Sequence, residues 1–474
     1  MTRLHLFLLG CVCLLLVVGC GGEGERVAEA APTPTQLPVT GTPTETAVPP
    51  TFTPLPATET AVPPTATIAP TNTAASLPTT IPTNTPIPLP PPPGQIVFLW
   101  NPEPVDPTGP QPQNLYFAKP GNAAGEWEME TTLTDLHGAG LYLSPDGTKF
   151  AARLFEDTDG NGIVSTMGTA DYSNVYLYPL SDKTLTRLTD TEIKGTVQVS
   201  WLPDNQQFTY TLNKDIFLFD LANSTSTRLL SFPGLITFHQ WSPDGRWLAI
   251  VSRLSDEPAP AGESHRLGLY DTETNNLISV VSKLGGSSIS WSPSSQWFAF
   301  SSIEQGLYVT SINDLVPIQL DAGLSFSSWS PDGQWLAFTS QTGAVSLNLW
   351  NPNTQLIERL LEGNGRFSRP IWSPDNQHLA VALNTEEESS LVIADIVNKT
   401  TNTVLIGPKP VPDPGPARWP LETLSWSPDG QWILFEASGK DNRNFSVVNY
   451  ANGELFVVLD FTGSDVPENV YWLP

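Results

Sequence analysis

The sequence predicts an all-β fold, a β-propeller of four-stranded antiparallel blades, on three observations. A short turn motif recurs along the C-terminal part of the chain at a mean spacing of about 47 residues, close to the length of one propeller blade. Apolar stretches of strand length flank each copy of the motif. A truncated copy ends the chain, so the first and last strands are able to complete one blade.

The turn motif reads Ser-Pro-Asp-Gly or a close variant of it. Proline presets φ for the first central position of a β-turn, aspartate tolerates the second, and glycine or asparagine accepts the positive φ that follows. An apolar strand precedes most copies and a second one follows, which predicts a β-hairpin at each copy. The seven copies are Ser144–Gly147, Pro203–Asn205, Ser242–Gly245, Ser292–Ser295, Ser330–Gly333, Ser373–Asn376 and Ser427–Gly430.

The two ends of this region each supply part of a further blade. Ile96–Trp100, Asn114–Ala118 and Glu128–Leu133 alternate as second, third and fourth strands would, and they lack a first strand. Val470–Leu473 has the pattern of a first strand that lacks the other three. Pairing them closes the ring, hides its open sheet edges and predicts eight blades.

The N-terminus has the pattern of an exported lipoprotein. Arg3 and the apolar stretch Leu6–Val18 are typical of a secretory signal, which assigns residues 1–19 to a signal peptide. The run Val17-Val18-Gly19-Cys20 resembles the lipobox of bacterial lipoproteins, which implies that the Cys20 sulfur is acylated. We therefore expect a protein anchored to the bacterial membrane by lipid, facing the periplasm or the cell exterior.

Residues 20–93 are expected to form a disordered stalk, followed by the propeller over residues 94–474. From Ala31 to Pro93 the chain repeats threonine and proline, a composition that cannot build a core and that favours polyproline II. At about 3.1 Å per residue, such a spacer could reach roughly 190 Å.

The motif at Trp329–Phe338 resembles the repeat of TolB-type propellers, a WD-repeat-like group that also includes the propellers of prolyl-oligopeptidase-like enzymes. The resemblance covers residues 94–474 and implies a propeller, a scaffold that hosts many unrelated activities. The chain has signal and stalk where TolB has a separate α/β domain, which argues against a role in the Tol system.

Composition and motifs favour binding over catalysis. The net charge of −26 argues against nucleic acid as a partner, because phosphates would be repelled. No nucleophile elbow, zinc motif, P-loop or Cys-x-x-Cys occurs, and His378 occupies a slot that tryptophan fills in sister repeats. The favoured function is non-catalytic binding of a protein, peptide or glycan. The alternative is a hydrolase, glycosidase-like or peptidase-like, with carboxylates at the channel mouth.

Loop lengths predict where a ligand would bind. The tight turns lie on one face of the propeller, and the long insertions, such as Leu254–His265 and Gly407–Pro420, join strands at the opposite face. Binding residues favour loops on a rigid scaffold, so we expect the ligand there. Trp419, Arg418 and His265 are the candidate contacts. The alternative is that the insertions have no binding role, since surface loops tolerate added length.

One insertion resembles half of a calcium-binding loop. Oxygen ligands at alternate positions with a glycine at the sixth match the first half of an EF-hand pattern, whereas the later glutamate is missing. A plain Asp/Gly-rich turn would have the same composition. The candidate calcium ligands are Asp157, Asp159, Asn161, Ile163 and Asp171.

Overall fold

In a computed structural model, every regular element of the described residues is a β-strand. Among these residues no helix is long and apolar enough to cross a membrane. The predicted signal, Cys20 and the stalk up to residue 91 lie outside the described residues. The described residues are 92–102, 112–121, 126–158, 160, 164, 171–190, 197–232, 234–253, 265–284, 288–302, 306–323, 325–341, 345–407, 421–438, 443–461 and 467–474.

The strands form eight antiparallel sheets, the blades of a β-propeller, as the repeat predicts. Blade 1 contains β1 (Gln95–Trp100), β2 (Gln113–Pro120), β3 (Trp127–Leu136) and the last strand of the chain. Blade 2 contains β4 (Gly140–Leu143), β5 (Lys149–Glu156), β6 (Tyr172–Pro179) and β7 (Thr186–Arg187). Blade 3 contains β8 (Val199–Trp201), β9 (Gln207–Leu212), β10 (Asp215–Asp220) and β11 (Thr225–Ser231). Blade 4 contains β12 (Ile236–Trp241), β13 (Trp247–Arg253), β14 (His265–Asp271) and β15 (Asn276–Leu284).

The remaining blades repeat this order, and the first strand of blade 7 is split in two. Blades 5 to 8 contain β16 (Ser288–Trp291), β17 (Trp297–Ser302), β18 (Gly306–Ser311) and β19 (Ile318–Asp321); β20 (Ser327–Trp329), β21 (Leu336–Ser340), β22 (Val345–Trp350) and β23 (Ile357–Gly363); β24 (Arg366–Phe367), β25 (Ile371–Trp372), β26 (His378–Asn384), β27 (Ser389–Asp395) and β28 (Thr400–Gly407); β29 (Leu421–Trp426), β30 (Trp432–Ser438), β31 (Arg443–Asn449) and β32 (Leu455–Phe461). The last strand of the chain, which belongs to blade 1, is β33 (Glu468–Leu473).

Blade 1 is built from both ends of the propeller, which confirms the predicted closure. Strand β33 pairs antiparallel with β1, with Ile96 opposite Trp472 and Gln95 opposite Leu473. The Trp472 indole N–H also donates to the carbonyl of Pro93 at 2.8 Å. Because the first and second strands of this blade come from opposite chain ends, no turn motif joins them.

The core lies in the seams between blades. Each of the eight apolar clusters combines residues from two neighbouring blades, and every seam of the ring has one. The second strands have neighbours on both faces, so Trp247–Ser252 of β13 is buried at every position. A strand covered on both faces needs a continuous apolar run rather than alternation.

The serine of the turn motif is a buried hydrogen-bonding centre. Ser330 is fully buried, and its hydroxyl donates to Asp332 Oδ1 at 2.7 Å while accepting the Trp335 N–H at 3.0 Å. The Gly333 N–H closes the turn on the Ser330 carbonyl at 2.8 Å, and Gly333 has the predicted positive φ of 70°. The motif therefore satisfies its own buried polar groups.

The turns of successive blades are joined in pairs. In blades 2, 4 and 6 the aspartate N–H donates, at 2.9 Å each, to a side chain of the next blade's turn, where asparagine or serine replaces the glycine. At the intervening seam a Cβ on Gly245 would lie 3.1 Å from Pro203, so a small residue fits best there. The three joined pairs are Asp146 with Asn205, Asp244 with Ser295 and Asp332 with Asn376.

The outermost strands are irregular. The pairing of third and fourth strands contains a register shift in blades 1 and 3 to 8. In blade 2 the fourth strand is only Thr186–Arg187. Bulged or short edges discourage pairing with another sheet, which matters for a disc whose rim consists of strand edges.

The turn serine is expected to contribute measurably to stability. Ser330→Ala removes a buried hydroxyl and leaves the Trp335 N–H without its acceptor, which should lower the free energy of unfolding by about 1–3 kcal/mol. Urea denaturation measures this change. Ser231→Ala is the matched control, because Ser231 is exposed on β11 and its loss should cost under about 0.5 kcal/mol. Equal effects of the two substitutions would contradict this role of the motif.

Candidate functional site

The central channel contains a cavity of about 600 Å³, within the range of about 300–1,000 Å³ that is usual for small-ligand sites. It is lined mainly by the first strands of blades 2 to 5, with Tyr471 from blade 1. Its polar lining consists of amide, hydroxyl and imidazole groups, and the described lining residues include no Asp, Glu, Lys or Arg. The residues that matter below are Tyr142, Gln198, Ser200, Phe238, His239, Gln240, Ser290 and Tyr471.

A series of tryptophan hydrogen bonds holds the first strands together. In blades 3 and 5 to 8, the tryptophan that ends the first strand donates its indole N–H to a backbone carbonyl of the preceding blade, one residue before the equivalent position there. Periodic placement in the sequence predicts packing between blades, and these contacts agree with it. The bonds join Trp201 to Tyr142 (2.8 Å), Trp291 to Gln240 (3.3 Å), Trp329 to Ser290 (3.0 Å), Trp372 to Ser328 (3.1 Å) and Trp426 to Ile371 (3.0 Å).

The seam between blades 3 and 4 departs from this series. Here the Trp241 indole N–H donates to Thr209 Oγ1 at 2.9 Å, and the Thr209 hydroxyl donates onward to the Ser200 carbonyl at 3.3 Å. His239 Nε2 also lies 2.9 Å from Thr209 Oγ1. A threonine hydroxyl thus stands between the indole and the carbonyl, and a buried imidazole is attached to it.

The titratable groups of the cavity are uncharged at neutral pH. Burial lowers the pKa of His239 to about 4, so the imidazole is neutral. Burial, together with neighbouring Tyr142, raises the pKa of Tyr471 to about 12. Burial likewise raises the pKa of Tyr142, whose phenol also stays protonated. A protein of net charge −26 therefore has a neutral interior channel at this point.

Of the three predicted contact residues, the structure describes only His265, and it does not line this cavity. His265 begins β14, is partly buried and is not among the lining residues. Arg418 and Trp419 lie outside the described residues. His378 packs against Trp426 and Tyr450, with ring centroids 6.4 and 5.0 Å away, as the tryptophan slot of the repeat predicts.

Two of the five candidate calcium ligands lie within the described residues. Asp157 Oδ1 accepts the Gly160 N–H at 2.8 Å, and buried Asp171 accepts the Thr158 N–H at 2.9 Å. Both carboxylates therefore brace the loop itself. Asp159, Asn161 and Ile163 lie outside the described residues, and no cluster of three or more His, Cys, Asp or Glu residues suited to a metal occurs within them. Calcium binding stays a prediction.

A carboxylate pair lies in blade 8. Glu422 of β29 is directly opposite Glu436 of β30 in the strand register. Desolvation by the surrounding protein raises the pKa of Glu422, Glu436 raises it further, and Arg366 and Arg369 oppose the change. A carboxyl group with a raised pKa beside a second carboxylate is able to act as a general acid.

Sequence reasoning missed His239 and Thr209 as members of a site. Both residues break the internal repeat, because aliphatic residues and alanine occupy the equivalent positions in neighbouring blades. Superposing the repeats position by position, instead of searching for catalytic motifs, would have revealed them.

Comparison with known proteins supports the architecture alone. No protein-family model and no curated protein matches the chain. Among solved structures, it is similar to dipeptidyl peptidase 4 of Porphyromonas gingivalis (TM-score 0.51, 13% identity, covering 73% of this chain and 58% of that chain). It is also similar to a eukaryotic initiation factor (TM-score 0.51, 11% identity, 80% and 98%) and to TolB of Acinetobacter baumannii (TM-score 0.35, 16% identity, 65% and 81%). At such identities the likeness extends to the β-propeller fold and no further.

The neutral, buried state of His239 predicts how stability depends on pH. The unfolded chain takes up a proton near pH 6.5 that the folded chain refuses until about pH 4, so falling pH in this window favours unfolding. Relative to His239→Val, the wild type should lose about 3 kcal/mol of unfolding free energy between pH 7 and pH 4. Denaturant titrations at several pH values measure the difference, which should not change between pH 7 and pH 8. Parallel curves down to pH 4 would show that the folded protein accepts the proton.

The calcium prediction is testable by titration. If the loop after β5 binds Ca²⁺, calorimetry should show a saturable heat, and chelator should lower the melting temperature. Asp157→Asn should abolish both effects, whereas Asp314→Asn, at an exposed turn of blade 5, should leave them intact. An absent heat in the wild type would remove the calcium site.

Proposed function

We propose that this protein is a lipid-anchored cell-envelope protein whose propeller binds a protein, peptide or glycan without catalysis. The signal-like stretch Leu6–Val18, the lipobox ending in Cys20 and the Thr/Pro-rich stalk support export and anchoring. The resemblance of the repeat to TolB-type propellers is compatible with a binding role, since the scaffold itself carries no chemistry.

The uncharged channel cavity is the observation that carries this proposal. Its described lining combines aromatic rings with amide, hydroxyl and neutral imidazole groups, which recognise ligands by shape and hydrogen bonding. General acid–base hydrolysis needs carboxylates or a basic imidazole beside the scissile bond. No Asp or Glu is among the described lining residues, and burial makes His239 a weak base.

A hydrolase is the second candidate, and the Glu422–Glu436 pair favours it. The pair would supply an acid whose pKa is raised and a second carboxylate. If the protein is a hydrolase, the wild type should turn over chromogenic glycosides or peptides, and Glu422→Gln should abolish that turnover. If the protein only binds, the wild type should show no turnover of these substrates.

Arrays of glycans, peptides and envelope proteins test the binding function directly. We expect the full-length chain to retain one class of ligand. Ser290→Phe, which adds a ring at the cavity wall, should lower retention at least about tenfold, or about 1.4 kcal/mol. Ser231→Phe, on the outer strand β11, is the matched control and should bind as the wild type does. Binding of no class of ligand, or unchanged binding by Ser290→Phe, would contradict the proposal.

The anchor has its own test. Cells that express the full-length chain should incorporate labelled palmitate into it, and Cys20→Ser should abolish both the label and membrane association. Membrane association that persists in Cys20→Ser would argue against the lipid anchor.

A further inference from the structure

We propose that the channel cavity is a binding site for a neutral saccharide, whose hydroxyl groups donate hydrogen bonds to His239 Nδ1 and Gln240 Oε1. The inference rests on the proposed binding function, because it names the ligand class of the same cavity.

The blade 3–4 seam is polar where the adjacent repeats are apolar. His239 occupies a position that is aliphatic in blades 2, 3 and 5, and Thr209 occupies one that is alanine in five other blades. These two unusual residues contact each other across one seam, His239 Nε2 to Thr209 Oγ1 at 2.9 Å. The equivalent residues are Leu141, Val199 and Ile289 for His239, and Ala151, Ala249, Ala299, Ala337 and Ala380 for Thr209.

The hydrogen bonds of this seam leave one imidazole nitrogen unused. Thr209 Oγ1 accepts the Trp241 indole N–H, and its single proton is directed to the Ser200 carbonyl. With that proton on the Ser200 carbonyl, His239 Nε2 is the donor to Thr209, and this tautomer has its lone pair on Nδ1. Only 3% of the His239 surface is exposed, and Nδ1 has no partner among the described residues.

Gln240 adds a second acceptor without a partner. Its Oε1 is buried and forms no hydrogen bond within the described part of the chain, while Gln240 and His239 both line the cavity. Neither atom is exposed to bulk water, so each destabilises the fold relative to an apolar residue. A ligand with hydrogen-bond donors can supply the missing partners once these two side chains turn toward the cavity that their residues line.

The other lining residues determine which kind of hydrogen-bond donor the cavity can bind. The described cavity wall carries no charge, so an ionic ligand would lose hydration without gaining a counter-charge. Tyr142, Phe238 and Tyr471 offer aromatic surface, whose electron-rich faces attract polarised C–H groups. A sugar ring has C–H groups that can pack on the aromatic side chains of the cavity. Its hydroxyl groups both donate and accept, and so can pair with the amide and hydroxyl groups of the lining.

Calorimetric titration of the full-length chain tests the inference with glucose, galactose, N-acetylglucosamine and their β-1,4-linked disaccharides, and with a neutral alanine-rich peptide. At least one saccharide should give a saturable heat that the peptide does not. The double variant Thr209→Ala/His239→Val, which restores the apolar repeat, should bind that saccharide at least tenfold more weakly. It should melt no lower than the wild type, because Trp241 can then donate to the Ser200 carbonyl as its counterparts do.

Two further variants sharpen the result. His239→Asn keeps an acceptor near the position of Nδ1 and should retain an affinity between those of the wild type and the double variant. His378→Trp restores the repeat at blade 7, away from the cavity, and should leave the affinity unchanged.

Each contrary outcome overturns the inference in a distinct way. If no saccharide binds the wild type, the ligand class is wrong, and binding of the peptide would leave the proposed binding function standing. If the double variant binds as the wild type does, His239 lies outside the site. A double variant that melts lower at unchanged affinity would make the polar seam a purely structural feature.

Discussion

The fold depends on one constraint, that each blade can bury its two faces only against its two neighbours. Every apolar cluster spans a seam, and the second strands have both faces covered, so that Trp247–Ser252 of β13 is buried at every position. An open array would leave an apolar face exposed at each end. Closure of blade 1 by β33 and β1 removes both faces at once, which is why the chain ends cooperate in one sheet.

The repeated turn connects this packing to polar chemistry. The buried serine hydroxyl holds the turn aspartate and the N–H of the next strand, so the motif can sit at the end of a closely packed strand pair without unpaired groups. The tryptophan that precedes it reaches the neighbouring blade and donates to a carbonyl beside the channel. One short motif thus organises the hairpin, the seam and the channel wall together.

Because the first strands serve both the seams and the channel, a substitution there changes both. At the blade 3–4 seam, His239 and Thr209 bring a polar contact to positions that aliphatic residues and alanine occupy in neighbouring blades. Burial keeps His239 neutral, and the surrounding phenols also stay neutral. The outcome is a cavity whose chemistry differs from the strongly acidic composition of the chain, since composition is set largely by the exposed residues.

The sequence by itself determined the fold class, the blade count and the ring closure. These follow from local turn chemistry and from the alternation of residues in Ile96–Trp100 and Val470–Leu473, both of which are properties of neighbouring residues along the chain. For the binding site, the sequence offered only loop length, which predicted ligand contacts at Trp419, Arg418 and His265 in the long insertions.

Only the tertiary structure decided which side chains meet at the seams beside the channel, because residues of neighbouring blades come together there through the curvature of the ring. Thr209 and His239 are 30 residues apart and unremarkable alone, yet the seam brings them within 2.9 Å and buries them together. Burial also determines their protonation, since the pKa of an imidazole depends on solvent and neighbours that the one-dimensional sequence does not specify.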